Sequence, residues 1–296
     1  MEIGVHLPLI AFGDDALSLG RFERAADAAA GCGLAALAAN DHFVFATPWL
    51  DGPTALAAVA GRSGELDLMT SVALVALRGP VPLAKTLQAL DVLSGGRVIA
   101  AVGPGSSARD YEALGIPFEE RWPRFEAATA ALRALLRDEA EPRLAPRRGA
   151  IPVWVGSWGS AAGLRRVARL ADGWLASAYN TTPERFAVAH ADLARALATR
   201  EREAEGFPNA LSTMWTWITE QRADADRVLR DVLAPMLKRD PEALREQLCV
   251  GPPEHCAALL SRYAAAGCGR VLLWPIGDEP RQIELAAERV LPAVVP

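Results

Sequence analysis

The amino-acid sequence predicts an α/β protein with the fold of a (β/α)8 TIM barrel, on three observations. An Ala- and Leu-rich segment followed by glycine and a short apolar run recurs along the chain, most clearly at 28–35 and 264–271. Eight such apolar runs are bounded by turn residues. The 296 residues, 51% of them hydrophobic, suffice for one large barrel core. We therefore predict a single domain over residues 1–296.

Each recurring junction is expected to join a helix to a strand. Glycine after the last helical turn can adopt the left-handed conformation that closes a helix, and a continuous apolar run suits a strand covered on both faces. The eight runs lie near residues 3–8, 34–39, 68–77, 97–103, 151–156, 173–178, 211–218 and 270–276. Strands that alternate with helices in this way favour a closed parallel barrel.

The segments between these runs favour helices. Residues 83–93 and 124–137 place apolar side chains at helical spacing. Residues 219–253 form a longer and more charged stretch than one crossover needs, and Pro235 and Pro241 interrupt it. We therefore predict a helical insertion between the seventh and eighth predicted strands.

Composition excludes several classes of partner. The net charge is −5 and the basic residues are scattered among acidic ones, so we expect no nucleic acid partner. No apolar run approaches the roughly 20 residues that cross a bilayer, and no basic segment followed by an apolar one opens the sequence, so we expect no membrane association and a cytoplasmic location. The cysteines and histidines lack the spacing of a metal site, and we predict none.

A doubly wound dinucleotide fold is the alternative architecture, with an NAD(P)-dependent dehydrogenase as the corresponding function. The string GPGSSA at 103–108 matches the pattern G-x-G-x-x-A directly after a predicted strand. Proline occupies its second position, and the motif belongs to the fourth predicted strand. Both features favour the barrel.

Barrel enzymes place their chemistry on the loops after the C-terminal ends of the strands. Asp41 and His42 follow the second predicted strand, and an imidazole can donate or accept protons near neutral pH. The alternative for His42 is a loop histidine held by Asp41. Residues 156–160 follow the fifth predicted strand and lead into a predicted helix, so free backbone N–H groups there favour an anion site. The alternative is an ordinary serine N-cap.

Three further residues are candidates for substrate binding. Trp49 and Trp215 lie at or near predicted strand ends or their loops, where they suit an apolar substrate pocket, and His6 lies inside the first predicted strand. Large aromatic side chains also fill barrel cores, so packing is the alternative for all three.

Beyond these patterns, the chain resembles the luciferase-like monooxygenases, which include FMN-dependent oxygenases and F420-dependent reductases and dehydrogenases. The resemblance runs along nearly the whole chain. The string LDVLSGGR at 90–97 is its most family-specific part. The others are IGVHLP at 3–8, NDHF at 40–43, TSVAL at 70–74, GPG at 103–105, GSWG at 156–159 and ADG at 171–173.

The resemblance implies roles for individual residues. His42 would contact the reactive side of the cofactor ring, and Asp41 would help to position it. Ser71, Val72 and Ala73 correspond to a bulge where relatives often carry a non-proline cis peptide that supports the central ring. The remaining implied cofactor contacts lie in two loops. The first loop contributes Gly103 and Ser106. The second loop, near the phosphate-bearing tail of the cofactor, contributes Gly156, Ser157, Trp158 and Gly159.

The resemblance therefore implies an oxidoreductase that uses F420, with FMN as the alternative cofactor, and acts on a small organic substrate. F420 would imply hydride transfer, and FMN would imply flavin-peroxide chemistry. Ser106 and Arg109 stand where some F420-dependent sugar-phosphate dehydrogenases carry glutamate and asparagine. The glutamate of those enzymes is a candidate proton donor, and Ser106 lacks its acid group. A non-catalytic flavin-binding protein of the same fold is therefore a further alternative. We also expect a homodimer.

Overall fold

The computed structural model describes residues 1–12, 16–45, 47–137 and 149–295. Eight parallel strands close into a barrel in the order β1-β2-β3-β4-β5-β6-β7-β9, and β9 pairs back to β1. This closed ring confirms the predicted TIM barrel and excludes the doubly wound alternative. The strands are β1 Glu2–His6, β2 Ala36–Ala39, β3 Asp67–Thr70, β4 Val98–Val102, β5 Val153–Gly156, β6 Gly173–Ser177, β7 Asn209–Ile218, β8 Cys249–Gly251 and β9 Arg270–Pro275.

Helices connect consecutive strands and form the outer layer. Side-chain caps begin several of them; Ser18, Asp51 and Ser160 accept hydrogen bonds from backbone N–H groups two or three residues into the following helices. None of the helices in the described ranges is long and apolar enough to span a bilayer. They are α1 Leu19–Gly31, α2 Gly52–Val59, α3 Val75–Arg78, α4 Pro80–Ser94, α5 Ala108–Ala113, α6 Arg121–Leu136, α7 Ala161–Leu170, α8 Pro183–Ala198, α9 Arg222–Arg227, α10 Ala234–Leu237, α11 Pro241–Gln247, α12 Pro253–Ala265 and α13 Glu279–Leu285.

The predicted insertion between the seventh and eighth barrel strands is confirmed. It comprises α9, a π-helical segment at Val228–Leu233, α10, α11 and the short strand β8. The sequence analysis missed β8, which pairs with the C-terminal end of β7 at Thr216–Ile218. Three residues are too few for a periodic pattern, which is why the predicted eighth strand is β9 in the structure.

The predicted third strand, 68–77, is wrong in its second half. β3 ends at Thr70, and Val75–Arg78 forms the short helix α3. Between them, Ala73 makes an isolated parallel bridge to Val102. A buried apolar run of this length looks the same in a strand as in a buried helical turn, so hydrophobicity alone could not place the boundary.

The apolar core has two parts. The larger part lies between the barrel and the helices, whereas the smaller part fills the barrel interior with alternating small and large side chains. Trp154 is the bulkiest member of the interior part, and a Cβ on Gly173 would lie 2.4 Å from its ring. Val72 packs against this interior part from the C-terminal end of the barrel. The barrel is therefore filled, and Val72 connects its core to the end where the strands finish.

Candidate active site

A cavity with a volume of about 470 Å³ opens at the end of the barrel where the strands finish. Loops after β2, β3, β4, β5 and β6, together with the middle of β7, form its walls. Active sites of this fold lie at this end. The loops after β2, β4 and β5 thus converge on a common cavity.

Most residues predicted to contact a cofactor line this cavity. The two that do not are Ala73, whose buried backbone bonds with Ala101 and Gly103, and Gly159, which occupies a turn at a φ of 91°. The cavity wall includes the predicted residues Asp41, His42, Ser71, Val72, Gly103, Ser106, Gly156, Ser157 and Trp158.

His42 is held by Asp110 and not by Asp41, which corrects the alternative considered from the sequence. The Nδ1 atom of His42 lies 2.8 Å from Oδ2 of Asp110. The His42 side chain keeps 14% of its surface exposed, whereas that of Asp110 has none. Asp110 belongs to α5, after the loop that follows β4, so this bond joins two walls of the cavity.

Asp41 is buried and forms a charged network beneath the loop that carries His42. Its carboxylate accepts two hydrogen bonds from Arg78, both at 2.6 Å, and one from the Leu74 amide at 3.1 Å. Arg78 also bonds to Asp51, the N-cap of α2. Burial alone would lower the pKa of Arg78, but its hydrogen bonds and charge interactions with Asp41 and Asp51 raise that pKa above its usual range. Arg78 therefore stays charged and fixes Asp41.

The floor of the cavity is formed by Ser71 and Val72, and the peptide bond between them is cis. This is the bond that the family resemblance implies at this position. A Cβ on Gly103 would lie 2.7 Å from Cγ2 of Val72, and one on Gly156 would lie 3.0 Å from its Cγ1. The two glycines therefore allow the loops after β4 and β5 to approach Val72 from both sides.

Gly103→Ala is expected to lower the free energy of unfolding by about 1–3 kcal/mol, because its Cβ would overlap the Val72 side chain. Urea unfolding measures this effect. The double variant Gly103→Ala/Val72→Ala should recover part of the loss, since it removes the overlapping methyl groups. Gly31→Ala, where a Cβ meets nothing within 4 Å, is the matched control and should not be destabilised. An equal loss in both single variants would contradict the role of Val72.

The loop after β4 is fastened by Tyr111. Its phenol donates a hydrogen bond to the carbonyl of Pro104, and its ring is fully buried. Burial raises the pKa of Tyr111 to about 12, so the phenol remains a donor at neutral pH. Ser106, on the same loop, is exposed at the cavity edge and carries no acid.

The loop after β5 leads into the N-terminus of α7. Ser160 caps this helix by accepting from the Gly163 amide at 3.2 Å, so the N-cap considered from the sequence is present. Ser157 is also buried and accepts from the Gly159 amide at 3.3 Å. A Cβ on Gly163 would lie 2.2 Å from Oγ of Ser157. These small residues bring backbone N–H groups and hydroxyls together at the positive end of a ten-residue helix.

Two arginines line the same side of the cavity and were not identified from the sequence. The guanidinium of Arg121 lies 4.0 Å from the centre of the Phe118 ring, and that of Arg166 lies 4.3 Å from the centre of the Trp122 ring. Arg166 also pairs with Glu126 at 2.6 Å. Trp158, 59% exposed, completes this outer wall. The cavity therefore combines cations with aromatic surfaces next to the α7 N-terminus.

Hydroxyl groups from β6 and β7 form the opposite wall. The pairing of β7 shifts register between Leu211 and Met214, and Thr213 adopts a positive φ of 57° there. This bulge brings Ser212 and Thr213 to the cavity, where Thr213 bonds to Ser177 at 3.0 Å. Sequence patterns could not identify the bulge, because neither glycine nor asparagine marks it.

The residues predicted to bind substrate form an aromatic cluster beside the cavity and do not line it. Trp274 lies between His6 and Trp215, with both ring centres 4.1 Å away, and Trp49 contacts Trp274 edge-on at 5.6 Å. Trp49 also contacts His42 at 4.8 Å, which places the cluster next to the cavity. Burial lowers the pKa of His6 to about 3, so its imidazole is neutral. The substrate role of His6, Trp49 and Trp215 stays a prediction.

A second, larger groove of about 770 Å³ lies between α7 and α8. Surface residues line it, including Arg165, Arg195 and Glu201. It runs along the outer surface of these two helices, outside the ring of strands, and contains none of the predicted site residues. The smaller cavity is therefore the candidate active site.

Comparison with curated proteins finds relatives that match part of the chain. A protein of Mycobacterium tuberculosis is 32% identical over 151 residues, which are 46% of this chain and 50% of that protein. A 5,10-methylenetetrahydromethanopterin reductase of Methanolobus tindarius is 24% identical over 208 residues, which are 67% of this chain and 62% of the reductase. The matched stretches thus span about half to three fifths of these relatives.

Solved structures share the fold over the full length. The monooxygenase RslO1 from Streptomyces bottropensis has a TM-score of 0.83 at 21% identity and covers 100% of both chains. An F420-dependent secondary alcohol dehydrogenase, solved with an F420-acetone adduct, also has a TM-score of 0.83, at 17% identity, and covers 100% of this chain and 99% of its own. At these identities the likeness concerns the fold.

The sequence profile of one family matches residues 1–238, which is most of the chain. Solved structures that share the barrel include proteins whose names give F420 or FMN. The chain belongs to the luciferase-like monooxygenase family.

Proposed function

We propose that this protein is an F420-dependent oxidoreductase that transfers a hydride between the deazaflavin and a small organic substrate. The observation that carries the proposal is the convergence of three features on one cavity: His42, the Ser71–Val72 floor and the Ser157 loop. A ring support, a proton-carrying side chain and an anion-binding loop are the parts that such a reaction needs from the protein.

Val72 lies on the cavity floor, where its side chain could support a flat ring. The absence of side chains at Gly103 and Gly156 leaves Val72 between two closely approaching loops. The hydroxyls of Ser177, Ser212 and Thr213 on the opposite wall can donate to or accept from polar groups of a ring or its side chain. We assign Val72 as the ring support on this ground.

The α7 side of the cavity fits a phosphate-bearing tail. Free N–H groups at the helix N-terminus favour an anion, and Arg121 adds positive charge further along the wall. Arg166 shares Glu126 with Arg169, so these three side chains together also carry a net positive charge. F420 carries carboxylates beyond its phosphate, so a wall with cations beyond the phosphate loop supports F420 over FMN. Two of the solved structures with this fold also have F420 in their names. They are the secondary alcohol dehydrogenase and a tetrahydromethanopterin reductase from Methanopyrus kandleri.

The residues that line the cavity would then have separate roles in binding and proton transfer. When bound, reduced F420 supplies a hydride. His42 donates or accepts the accompanying proton at Nε2, because Nδ1 is already bonded to Asp110. Val72 supports the ring, Ser157 and Arg166 orient the tail, and Trp158 restricts water at the outer wall.

Ser157→Asp is expected to weaken binding of F420 or FMN by at least tenfold, because it places an anion against donors assigned to a phosphate. The dissociation constant at low salt measures the effect. Ser18→Asp adds the same charge at the exposed N-cap of α1, away from the cavity, and should leave affinity unchanged. Equal affinity of the wild type and Ser157→Asp would show that the loop is only a helix cap.

The proposed function is tested by titrating the protein with F420 and with FMN, followed by tryptophan fluorescence and cofactor absorbance. We expect F420 to bind at least tenfold more tightly. Bound, reduced F420 should then be reoxidised faster when small carbonyl compounds are supplied. Tighter binding of FMN with oxygen consumption would overturn the choice of cofactor. Binding without reoxidation by any acceptor would indicate a non-catalytic flavin-binding protein.

A further inference from the structure

We propose that Asp110 is the positioning residue that determines which ring nitrogen of His42 carries the proton. This inference rests on the proposed function, because only there does His42 act on a proton. Asp110 lies in α5, after β4, and would control the protonation of a histidine in the loop after β2.

The carboxylate of Asp110 is surrounded by hydrogen-bond donors of a single loop. Its Oδ2 lies 2.8 Å from Nδ1 of His42, and its Oδ1 accepts from the amides of Phe43 at 2.9 Å and Val44 at 2.7 Å. The Asp110 side chain has no exposed surface. Among the described residues, no arginine or lysine forms an ion pair with it. Its interactions are therefore directed entirely at the loop that carries His42.

This arrangement has a consequence for the tautomer of His42. An ionised carboxylate only accepts hydrogen bonds, so Nδ1 must be the donor. A neutral imidazole then carries its lone pair on Nε2. Because His42 lines the cavity and Nδ1 is occupied, Nε2 is the nitrogen available for a proton from a bound molecule. Asp110 thus prepares His42 to accept a proton at Nε2 and, once protonated, to donate it there.

The two amide bonds give Asp110 a second effect on the same residue. Phe43 and Val44 are exposed, and their backbone is fastened to the buried α5 carboxylate directly after His42. Asp110 therefore fixes both Nδ1 of the His42 imidazole and the backbone that follows His42. A group that fixes orientation and tautomer together acts through His42 and needs no contact with the substrate.

Asp110→Asn separates these effects, because the two side chains have the same shape. The amide oxygen can still accept from Phe43 and Val44, whereas the amide nitrogen would face Nδ1 as a donor. His42 should then change to the tautomer with the proton on Nε2. Single-turnover oxidation of the substrate, in which His42 accepts the proton at Nε2, should slow by about 10²-fold or more, while cofactor affinity changes by less than about tenfold.

The tautomer is measured directly by nitrogen NMR of protein labelled with ¹⁵N-histidine, without any cofactor. The chain has four histidines, and the His42 signals are those lost in His42→Gln. We expect the proton on Nδ1 in the wild type and on Nε2 in Asp110→Asn. Asp172→Asn is the matched control, because Asp172 also accepts from a backbone amide, that of Val153 at 3.0 Å, but pairs with arginines near the start of β6. It should leave the His42 signals unchanged.

A wild-type protein with the proton on Nε2 would overturn the proposal, and this outcome does not depend on whether any variant folds. An unchanged tautomer in Asp110→Asn would also overturn it. If the protein bound neither F420 nor FMN, the proposed function would fail, but the NMR measurement would still decide the role of Asp110. A slow Asp110→Asn enzyme with a changed tautomer and a normal unfolding transition would support both.

Discussion

His42→Ala is expected to slow single-turnover reduction of the substrate by about 10²- to 10⁴-fold, the usual contribution of general acid-base catalysis. Cofactor affinity should change by less than about tenfold, because a proton-transfer contact acts mainly in the transition state. The imidazole is one of several groups that line the cavity, and the Ser71–Val72 floor and the Ser157 loop remain in the variant. Rapid-mixing kinetics with enzyme in excess, and separate titrations of the same preparations, measure the two quantities.

Two further variants determine what His42 contributes. His42→Gln should recover part of the rate only if a hydrogen bond, and not proton transfer, is the main contribution. His255→Ala removes a half-buried histidine from α12 and serves as the control, since it lies outside the cavity. Equal rates in the wild type, His42→Ala and His42→Gln would reduce His42 to a structural loop residue. His6 is a poor replacement as an acid, because burial lowers its pKa to about 3.

The fold was predictable because its signals are local. Gly33, Gly95 and Gly267 all adopt positive φ values next to helix ends, as the recurring junction predicts. Each such junction combines a helix end and the start of a buried strand within a few residues, so no tertiary information is needed. Repetition around the chain then specifies a barrel, since a parallel strand requires a crossover helix.

The partners of the site residues were less predictable, because they are distant in sequence. Asp110 lies 68 residues after His42, and Arg78 lies 37 residues after Asp41. Patterning placed Asp41 and His42 correctly at the barrel end but gave no means of choosing their partners, so it favoured the adjacent Asp41 for His42. The sequence contained a weak signal for Asp110, because it directly precedes the large aromatic residue Tyr111 and could therefore lie near a buried face.

The aromatic residues illustrate a different limit of the sequence. Trp49 and Trp215 are large, and both lie near strand ends, but size and position do not determine which side of the barrel wall a ring faces. The register shift in β7 alters that direction between Leu211 and Met214, just before Trp215. A bulge changes which faces successive residues occupy, so simple alternation along this strand was insufficient.

Arg78→Met is expected to lower the free energy of unfolding by about 2–4 kcal/mol, near the lower end of the loss for a fully buried ion pair. The Asp41 side chain is 1% exposed and would lose both bonds to the guanidinium, whereas Arg78 is 18% exposed, which moderates the effect. Within the described part of the chain, the Leu74 amide is then the one remaining donor to the carboxylate. Urea unfolding at neutral pH, followed by tryptophan fluorescence, measures the loss.

The double variant Asp41→Asn/Arg78→Met should be more stable than Arg78→Met alone, because it also removes the buried charge that lacks a partner. Arg62→Met breaks a pair with Asp27 whose side chains are 50% and 45% exposed, so it should cost less than about 1 kcal/mol. A similar loss in Arg62→Met and Arg78→Met would contradict the network. Asp41 directly precedes His42, so Arg78→Met should also slow turnover. If the double variant regains stability but not turnover, the charge of Asp41 matters for turnover independently of its effect on folding.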